Sequence, residues 1–346
     1  MSNFSLPLIN PIDDVSWNEK LYVWQDANIF HTAEWAKCLS KSYGYKCQYI
    51  YDESSKLLIP LMEVNSRFTG RRAISLPFTD FCPILYKDLE IFNNSLEKLL
   101  LLGRDRKWRY LELRPGDAVL QHSPSQIFFS HKLNLSKGVE YLFSKLRSSN
   151  RRNIRKAIKS GVEIIFSKDE WAVESFYHLN CVTRKRHGLP PQPLQFFKNI
   201  FKFLIEKEDR GIVVLAKHEN EIVGGAIYFY FKDTAIYKYG ASLIKKQHLR
   251  ANNLIMWEAI KFFAENGFLK FHFGRTESNN KGLLQFKRGW GVKELPLNYY
   301  KYDFEKKQFQ PEQSNDVIFS VANRLFSKMP IGALRILGEL LYKHVA

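Results

Sequence analysis

The chain has 346 residues, of which 45% are hydrophobic and 15% aromatic. This length and apolar content suffice for two compact domains and exclude an intrinsically disordered protein. The formal net charge of +17 predicts attraction to a polyanion: nucleic acid, an anionic membrane surface or a phosphate-bearing substrate. Charge alone does not choose among these partners.

The cysteines are widely spaced along the chain, at Cys38, Cys47, Cys82 and Cys181. None forms a CxxC pair or has a histidine at a metal-ligand interval, so we expect buried thiols, without a metal site or a disulfide framework. No sequence window approaches the roughly 18 apolar residues of a spanning helix, and no signal-peptide pattern is present. We expect a cytoplasmic protein and leave peripheral contact with the inner face of the membrane open.

The first half of the chain predicts strands, then a helix, then a strand. Apolar alternation and turn residues predict a hairpin over residues 45–64 and a strand over residues 71–76. Leucines at helical spacing predict a helix over residues 94–106, and residues 109–113 return to a strand.

The second half repeats this order. Three strands are predicted over residues 212–217, 222–231 and 234–239. A helix over residues 249–266 then ends before Gly267, and a strand follows over residues 268–273. Each half closes on a strand followed by an arginine, Arg114 or Arg275. The parallel predicts two copies of one α/β module, and the alternative is a chance similarity of two patterns.

Residues 145–159 carry the densest positive charge, with no acidic residue among them. Ile154, Ala157 and Ile158 have helical spacing, so we expect one amphipathic helix that ends before Gly161. Its cationic face favours either an anionic partner or plain solvation. Residues 168–208 are predicted to be mostly helical, with a break over residues 187–193.

The last thirty residues predict two short amphipathic helices divided by Pro330. Packing on their own domain is favoured over contact with a membrane surface. The stretch FGRTESNNKGLLQFKRGWG, residues 273–291, is interpreted as a polar, glycine-rich connection with apolar anchors. It holds Arg275 and Lys287, and a merely solvated lysine is the alternative.

Several motifs support a family resemblance when they are taken in order. They are FHTAEWAKCLSKSYGY (30–45), SLPFTDFCPIL (75–85), LRSSNRRNIRKAIKSGV (146–162), TRKRHGLPPQPLQFF (183–197), IVGGAIYFYF (222–231), YKYGAS (237–242) and the stretch 273–291. Together they resemble the FemAB-type branch of the GNAT-related acyltransferases, over about residues 30–303. The tail, LFSKMPIGALRILGELLYKHVA, resembles that of FemAB-like proteins associated with exopolysaccharide and exosortase systems.

The resemblance implies an α/β (α+β) fold of tandem GNAT-like modules, each a mixed, mostly antiparallel sheet flanked by helices. The modules would cover residues 1–144 and 145–305, with the donor site in the second, and residues 306–346 would form an amphipathic helical tail. It also implies transfer of an acyl or aminoacyl group to an amine of a cell-envelope or exopolysaccharide precursor.

The implied co-substrate is acyl-CoA or aminoacyl-tRNA, with no tightly bound cofactor and no metal. The chain lacks the helical arm associated with tRNA contact, and QHLRANNLIMWEAI lacks a QxxGxG loop for a CoA diphosphate. The donor therefore stays open. The implied partner is a phosphate-bearing envelope precursor, and tRNA and an anionic membrane remain alternatives. A basic RNA-binding module or a non-catalytic membrane-associated protein are the competing functions.

Without a GxSxG motif or a cysteine beside a basic residue, direct transfer in a ternary complex is favoured over an acyl-enzyme. The resemblance assigns Lys287 to the lysine of the family's FK motif, as a catalytic residue that binds a donor phosphate or the carbonyl oxygen. Glu277 is the second catalytic candidate, to orient the amine or accept its proton.

The other candidates are binding residues. Donor binding is assigned to Arg275, Phe286 and Arg250, the last at the start of a helix whose NH groups suit phosphate. Arginine's planar fork suits carboxylate or phosphate, which makes Arg184 and Arg186 candidate ligands of an acceptor phosphate. Tyr239, Trp35 and Asp80 complete the substrate-binding candidates, and packing or solvation is the alternative for each of these side chains.

Overall fold

A computed structural model describes residues 6–116, 120–312 and 316–345, with backbone alone for residues 316–321. Residues 1–5 and residues 313–315 of the predicted tail lie outside these ranges. The described strands are β1 (Leu8–Ile9), β2 (Lys46–Cys47), β3 (Tyr49–Asp52), β4 (Leu57–Ile59), β5 (Met62–Ser66), β6 (Gly70–Ile74), β7 (Leu85–Tyr86), β8 (Tyr110–Leu113), β9 (Gln126–Asn134), β10 (Glu163–Ser167), β11 (Gly211–His218), β12 (Glu221–Phe231), β13 (Thr234–Ser242), β14 (Lys270–Glu277), β15 (Lys293–Asp303) and β16 (Gln308–Phe309).

The described α-helices are α1 (Trp17–Leu21), α2 (Ala33–Tyr43), α3 (Leu89–Asp105), α4 (Val139–Lys145), α5 (Ser148–Lys159), α6 (Glu170–Arg186), α7 (Leu194–Ile200), α8 (Ala251–Glu265), α9 (Lys281–Arg288), α10 (Asp316–Lys328) and α11 (Ile331–Leu341). Two 3-10 turns, Ile29–His31 and Ile244–Leu249, and a π-helical turn, Phe201–Glu206, complete the set. Among the helices in the described ranges, none has both the length and the apolar character needed to cross a bilayer.

The chain divides into two compact units. The first contains the described residues of Met1–Phe128, Pro296–Ser314 and Leu340–Ala346, and the second those of Phe129–Leu295 and Asn315–Glu339. The sequence boundaries at residues 144 and 305 refer to the predicted modules and stay a prediction.

In the first unit, a short antiparallel hairpin leads through a helix to a parallel strand. β5 pairs antiparallel with β6, and β6 pairs parallel with β8 through Ala73 opposite Leu111. α3 lies between β6 and β8 in the chain, and its buried Leu99 belongs to the same apolar core as Leu111. A smaller sheet has the strand order β1, β3, β4, β7.

In the second unit, the strand order is β10, β11, β12, β13, β14, β9. The pairs from β10 to β13 are antiparallel, and β13 pairs parallel with β14 after the crossover helix α8. β12 is the apolar run EIVGGAIYFYF and is buried over most of its length, as expected for a strand covered on both faces. Both units therefore place antiparallel strands before a helix and a parallel strand, which confirms the mixed, mostly antiparallel fold class.

The predicted connection at residues 273–291 is wrong in detail. β14 continues to Glu277, with Gly274 and Thr276 buried, so the loss of large apolar residues did not mark the end of the strand. The next residues form α9, whose N-cap Asn280 accepts the Leu283 NH at 3.1 Å. A stretch interpreted as a loop is thus the end of a strand followed by a helix.

The single basic helix predicted over residues 145–159 is also wrong at its start. Lys145 ends α4, and Arg147 is an extended N-cap with ψ of 142°, so α5 begins at Ser148. This break turns the start of α5 into a separate helix terminus. The two predicted C-terminal helices are present as α10 and α11, on either side of Pro330.

Arg72 anchors the C-terminal segment of the first unit. It is 1% exposed, and its guanidinium donates to the Thr69 Oγ1 and to the His344 carbonyl oxygen, both at 2.6 Å. A buried guanidinium with these acceptors leaves unsatisfied groups when it is removed.

We expect Arg72→Met to lower the free energy of unfolding by about 3 kcal/mol, because the charged hydrogen bonds to the buried acceptors are lost. The control is Arg71→Met on the same strand, where an exposed ion pair with Glu63 at 3.5 Å contributes less than about 1 kcal/mol. Chemical denaturation of both variants measures the difference, and equal losses would contradict the assignment.

Candidate active site

The parallel strands β13 and β14 stop pairing near their middles and diverge. Their pairing joins Thr234–Ile236 to Lys270–His272, whereas the strands themselves run on to Ser242 and Glu277. A β-bulge lies where the divergence starts, because Ile227 faces Tyr239 while Tyr228 faces Tyr237. We call the opening between residues 237–242 and residues 273–277 the wedge.

Lys287 lies against the β14 side of the wedge. Its side chain is buried, 2% exposed, and its Nζ donates to the carbonyl oxygens of Gly274 and Arg275, each at 3.2 Å. Both carbonyls belong to the part of β14 that has left β13. A buried ammonium needs such dipoles to compensate for lost hydration, so strand divergence and lysine placement are linked.

His272 holds Gly274, one of the two residues whose carbonyls receive the lysine. Its Nδ1 accepts the Gly274 NH at 2.9 Å, and its Nε2 lies 3.1 Å from the Ser130 Oγ. Gly274 has φ of 68°, a left-handed conformation that glycine adopts without strain. Burial, and then the charges of Lys132 and Lys287, lower the pKa of His272 well below its usual value, so the ring is neutral.

A second set of contacts fixes the other side of α9. Arg288 donates to both carboxylate oxygens of Glu294 at 2.7 and 2.6 Å, and the His131 Nε2 lies 2.8 Å from the same carboxylate. The Arg288 hydrogen bonds hold the pKa of Glu294 below its usual value. Burial and the Lys287 charge lower the pKa of His131. α9 is therefore tied to β14 through Lys287 and to β15 through Arg288.

A pocket of about 460 Å³ lies where three helices begin, and we call it the helix-start pocket. It is lined by Arg147, Ser149, Asn150 and Asn153 of the α5 start, Arg250, Ala251, Asn252 and Asn253 of the α8 start, Gly282, Gln285 and Phe286 of α9, and Ser242, Lys246 and Gln247. Its lining includes three cations and, among these described residues, no carboxylate. Two helix N-termini and three cations make it suited to an anion.

The pocket meets the wedge at Ser242, the last residue of β13. On α9, Gln285 and Phe286 line the pocket, while the next residue, Lys287, turns to β14. One short helix therefore contributes to both the pocket and the lysine site.

The predicted donor-binding residues come together in the second unit. Arg250 is the N-cap of α8 with φ of 61°, is exposed and lines the helix-start pocket. Phe286 lines the same pocket and packs edge-on against Trp290. Arg275 is half-buried and supplies a carbonyl to Lys287. Glu277 is exposed at the end of β14.

The predicted acceptor residues of this unit lie around the end of α6. Arg184 donates to the Pro190 carbonyl at 3.2 Å, and Arg186 is exposed beside His187. The same end of α6 contacts β13, since the Ser242 NH donates to the Thr183 Oγ1 at 3.2 Å. Tyr239 is half-buried among aromatic rings that include Phe197.

Trp35 and Asp80 lie in the first unit and are described there alone. Trp35 is fully buried against Phe30, and Asp80 is half-buried with its carbonyl accepting the Tyr299 hydroxyl at 2.5 Å. The roles of all these candidates in binding and catalysis stay predictions. Sequence reasoning missed Asn150, Asn253 and His272, and the unused signal for Asn150 was the polar SSN at the start of the basic segment.

Comparison with known proteins agrees with this architecture. Residues 144–288 match a family model described as an acetyltransferase (GNAT) domain. The lipid II:glycine glycyltransferase of Staphylococcus haemolyticus is 24% identical over 227 residues, which cover 46% of this chain and 54% of the relative. The chain thus spans about half the length of the curated relatives it matches.

Two solved structures share the fold. FemX superposes with a TM-score of 0.62 at 13% identity, over 83% of this chain and 96% of FemX. A tandem GNAT protein from the clavulanic acid biosynthesis pathway superposes with a TM-score of 0.56 at 9% identity, over 86% of this chain and 98% of that protein. The chain is therefore a GNAT-fold protein with an acetyltransferase-type domain in its second half. Within that class it is similar in sequence to the lipid II:glycine glycyltransferases and in fold to FemX.

The buried histidines predict a pH-dependent stability. The pKa of His272 in the folded protein lies below the value of about 6.5 expected in the unfolded chain. Below that pH the unfolded chain binds more protons, so the stability present above it is lost as the pH falls toward the folded pKa. We expect His272→Asn, whose Oδ1 can still accept the Gly274 NH, to flatten this dependence.

Chemical denaturation between pH 7.5 and about 5 measures the effect. His248→Asn is the control, because His248 is exposed and its replacement is expected to leave the slope unchanged. An unaltered slope in His272→Asn would show that His272 does not carry this pH dependence.

Proposed function

We propose that this protein transfers an acyl or aminoacyl group directly from a phosphate-bearing donor to an amine on a cell-envelope or exopolysaccharide precursor. The observation that carries the proposal is the buried Lys287 ammonium on the wall of the wedge. The wedge meets, at Ser242, a cationic pocket built from helix starts.

The arrangement matches the electrostatic needs of acyl transfer. Attack of an amine on the carbonyl of the acyl donor places negative charge on the carbonyl oxygen. A cation or hydrogen-bond donor that is already in position in a water-poor site stabilises that charge. Lys287 supplies a cation whose position is set by Gly274 and Arg275. In this proposal the donor phosphate occupies the helix-start pocket and the acyl group enters the wedge.

The cysteines support direct transfer. All four are buried and none is in a disulfide, and burial raises the pKa of each thiol, that of Cys47 to about 12. A thiol with a raised pKa is a poor nucleophile because the thiolate is the reactive form. The amine of the acceptor therefore attacks the donor itself.

Glu277 is the proposed proton acceptor. It lies at the end of β14, two residues beyond the Arg275 carbonyl that holds Lys287, and it is exposed. A carboxylate at this place can orient an incoming ammonium or take its proton. Arg184 and Arg186 are proposed to bind the acceptor phosphate, since their helix end adjoins the pocket residue Ser242.

The curated relatives guide the choice of acceptor. They are glycyltransferases that act on lipid II, which supports a lipid II-type, phosphate-bearing precursor as the acceptor of this chain. The donor is either an acyl-CoA or an aminoacyl-tRNA. Both join an activated acyl group to a carrier that bears phosphate groups, and the cations that line the pocket suit either.

We expect Lys287→Met to reduce transfer by about 10²-fold or more, because it removes the cation from the site of developing charge. Acyl-CoA and charged tRNA are offered separately with lipid-linked precursors, and products are identified by mass spectrometry. Lys281→Met is the matched control, since it removes an exposed cation from the same helix. Turnover of Lys287→Met equal to that of the control would rule out the proposed role.

The tail supports contact of the enzyme with the membrane that would carry such a precursor. Leu325 on α10 is 63% exposed and Ile336 on α11 is 62% exposed. Arg324 and Lys328 are exposed on the same α10. Apolar side chains beside cations favour the surface of an anionic bilayer.

We expect the protein to sediment with vesicles containing phosphatidylglycerol more than with phosphatidylcholine vesicles. Replacing Leu325 and Ile336 together by Gln should weaken this binding, because both insert apolar surface. Leu269→Gln is the control, since Leu269 is 47% exposed but lies outside the tail. Binding unaffected by the double replacement would exclude the tail as the contact.

A further inference from the structure

We infer that the tip of the β5–β6 hairpin in the first unit docks on the surface of an anionic phospholipid bilayer, with Phe68 as the side chain that inserts. We call the residues concerned, 65–71, 104–109 and 341–345, the hairpin surface. They all belong to the first unit. This contact uses neither Leu325 nor Ile336 of the tail, and it does not depend on the transfer reaction.

Phe68 is held in solvent by a turn that neighbouring residues fix. It is 81% exposed. The Ser66 Oγ accepts the NH groups of Phe68 and Thr69, both at 3.1 Å. The Arg109 guanidinium donates to the Thr69 carbonyl oxygen at 3.1 Å. These hydrogen bonds fix the backbone of the turn and leave the ring outside the core, where contact with an apolar phase would lower its free energy.

Residues 341–345 continue the apolar surface beside the ring. The Phe68 and His344 rings pack edge-on with their centroids 4.9 Å apart. Val345 is 57% exposed, and Leu341, whose carbonyl accepts the Val345 NH at 3.1 Å, is 37% exposed. The buried Arg72 fixes this segment by donating to the His344 carbonyl at 2.6 Å. A single exposed ring is common on protein surfaces, whereas here two chain segments are held together to form the apolar surface.

Cations surround these apolar side chains. The hairpin surface has seven lysines and arginines and one carboxylate, that of Asp105. The cations are Arg67, Arg71, Arg104, Arg106, Lys107, Arg109 and Lys343. Six of them are exposed, and Arg106 is half-buried. Such a charge attracts the phosphates of anionic lipids and brings the apolar side chains to the bilayer surface.

A pocket of about 450 Å³ adjoins the hairpin surface, and its chemistry suits a lipid phosphate. It is lined by Gly44, Lys46, Glu63, Asn65, Arg71 and Arg106. The Glu63 carboxylate lies 2.9 Å from the Arg106 Nη1 and 3.5 Å from the Arg71 Nε, so one anion positions two guanidinium groups. Three cations against one carboxylate leave the pocket positive, and the planar fork of arginine suits phosphate. Asn65 and Arg71, which pair across β5 and β6, bring the pocket to the tip of the hairpin.

The apolar side chains favour a bilayer over RNA as the anionic partner. An RNA strand would engage the cations and could stack a base on Phe68. It would leave the aliphatic side chains of Leu341 and Val345 in water. A bilayer surface accepts the aromatic ring, the aliphatic groups and the cations together, so it accounts for the whole hairpin surface.

Sedimentation of the full chain with vesicles of phosphatidylglycerol and phosphatidylcholine tests the insertion. We expect Phe68→Gln to weaken binding to these vesicles by about tenfold, because the transfer of an aromatic ring out of water is lost. Leu89→Gln is the matched control and should leave binding unchanged. Leu89 is 44% exposed and lies at the other end of α3, about 24 Å from Asp105.

Phe68→Trp gives a second measurement that a folding defect of Phe68→Gln cannot imitate. The emission of the added indole is taken as the difference from the wild-type spectrum. We expect a blue shift on addition of phosphatidylglycerol vesicles, because the indole moves from water into the interface. Vesicles of phosphatidylcholine alone should shift the emission less, since they do not attract the cations.

Arg67→Gln tests the contribution of charge. Arg67 is exposed on the turn beside Phe68. We expect weaker binding to phosphatidylglycerol vesicles and a smaller loss of binding when salt is raised. Lys87→Gln is the control, because Lys87 is an exposed cation of the same unit outside the hairpin surface.

The inference is overturned if Phe68→Gln binds the vesicles as tightly as Leu89→Gln, or if the emission of Phe68→Trp does not shift. Binding of an RNA hairpin that Arg67→Gln weakens, together with vesicle binding that Phe68→Gln leaves unchanged, would assign the surface to RNA instead. These readouts measure binding alone, so they stand whether or not Lys287→Met loses turnover. Weaker vesicle binding of Phe68→Gln, with none of that loss in the double replacement of Leu325 and Ile336, would assign the membrane contact to the hairpin and not to the tail.

Discussion

The divergence of β13 from β14 is the constraint on which the second unit depends. In strands that stayed regularly paired, the Gly274 and Arg275 carbonyls would accept hydrogen bonds from neighbouring strands of the sheet. Because the pairing stops at His272, those oxygens are directed to Lys287 instead. The bulge near Tyr239 helps to turn β13 away, and its last residue then reaches the helix-start pocket.

The positive charge of the chain has different local uses. In the helix-start pocket, cations of the loop and helix starts meet no carboxylate among the lining residues, which leaves their field available to a ligand. At Lys287 the compensation comes from the carbonyl dipoles of Gly274 and Arg275. At Arg288 the compensation comes from the carboxylate of Glu294, which accepts two hydrogen bonds from the guanidinium and neutralises its charge. Adjacent cations in one motif thus have unlike environments.

Local pattern was sufficient for the elements whose own residues determine them. The apolar run of β12 and the helical spacing of α8 both predicted the correct element. The role that the FK motif assigns to Lys287 stays a prediction. The end of β14 was missed because small buried residues there are stabilised by neighbouring strands, which no local window contains. His272 and Asn150 were missed for a related reason. Their importance lies in contacts with residues 130, 253 and 289, which only the fold brings near.

The His272 ring has a consequence for observing the site. Because Nδ1 accepts the Gly274 NH, the ring proton must reside on Nε2, and a single tautomer is selected. The same residue, Gly274, carries a carbonyl that holds Lys287. The chemical shifts of the His272 ring nitrogens therefore report whether Gly274 is still held in the position in which it accepts from Lys287. This spectroscopic marker can be followed in the protein without any added ligand.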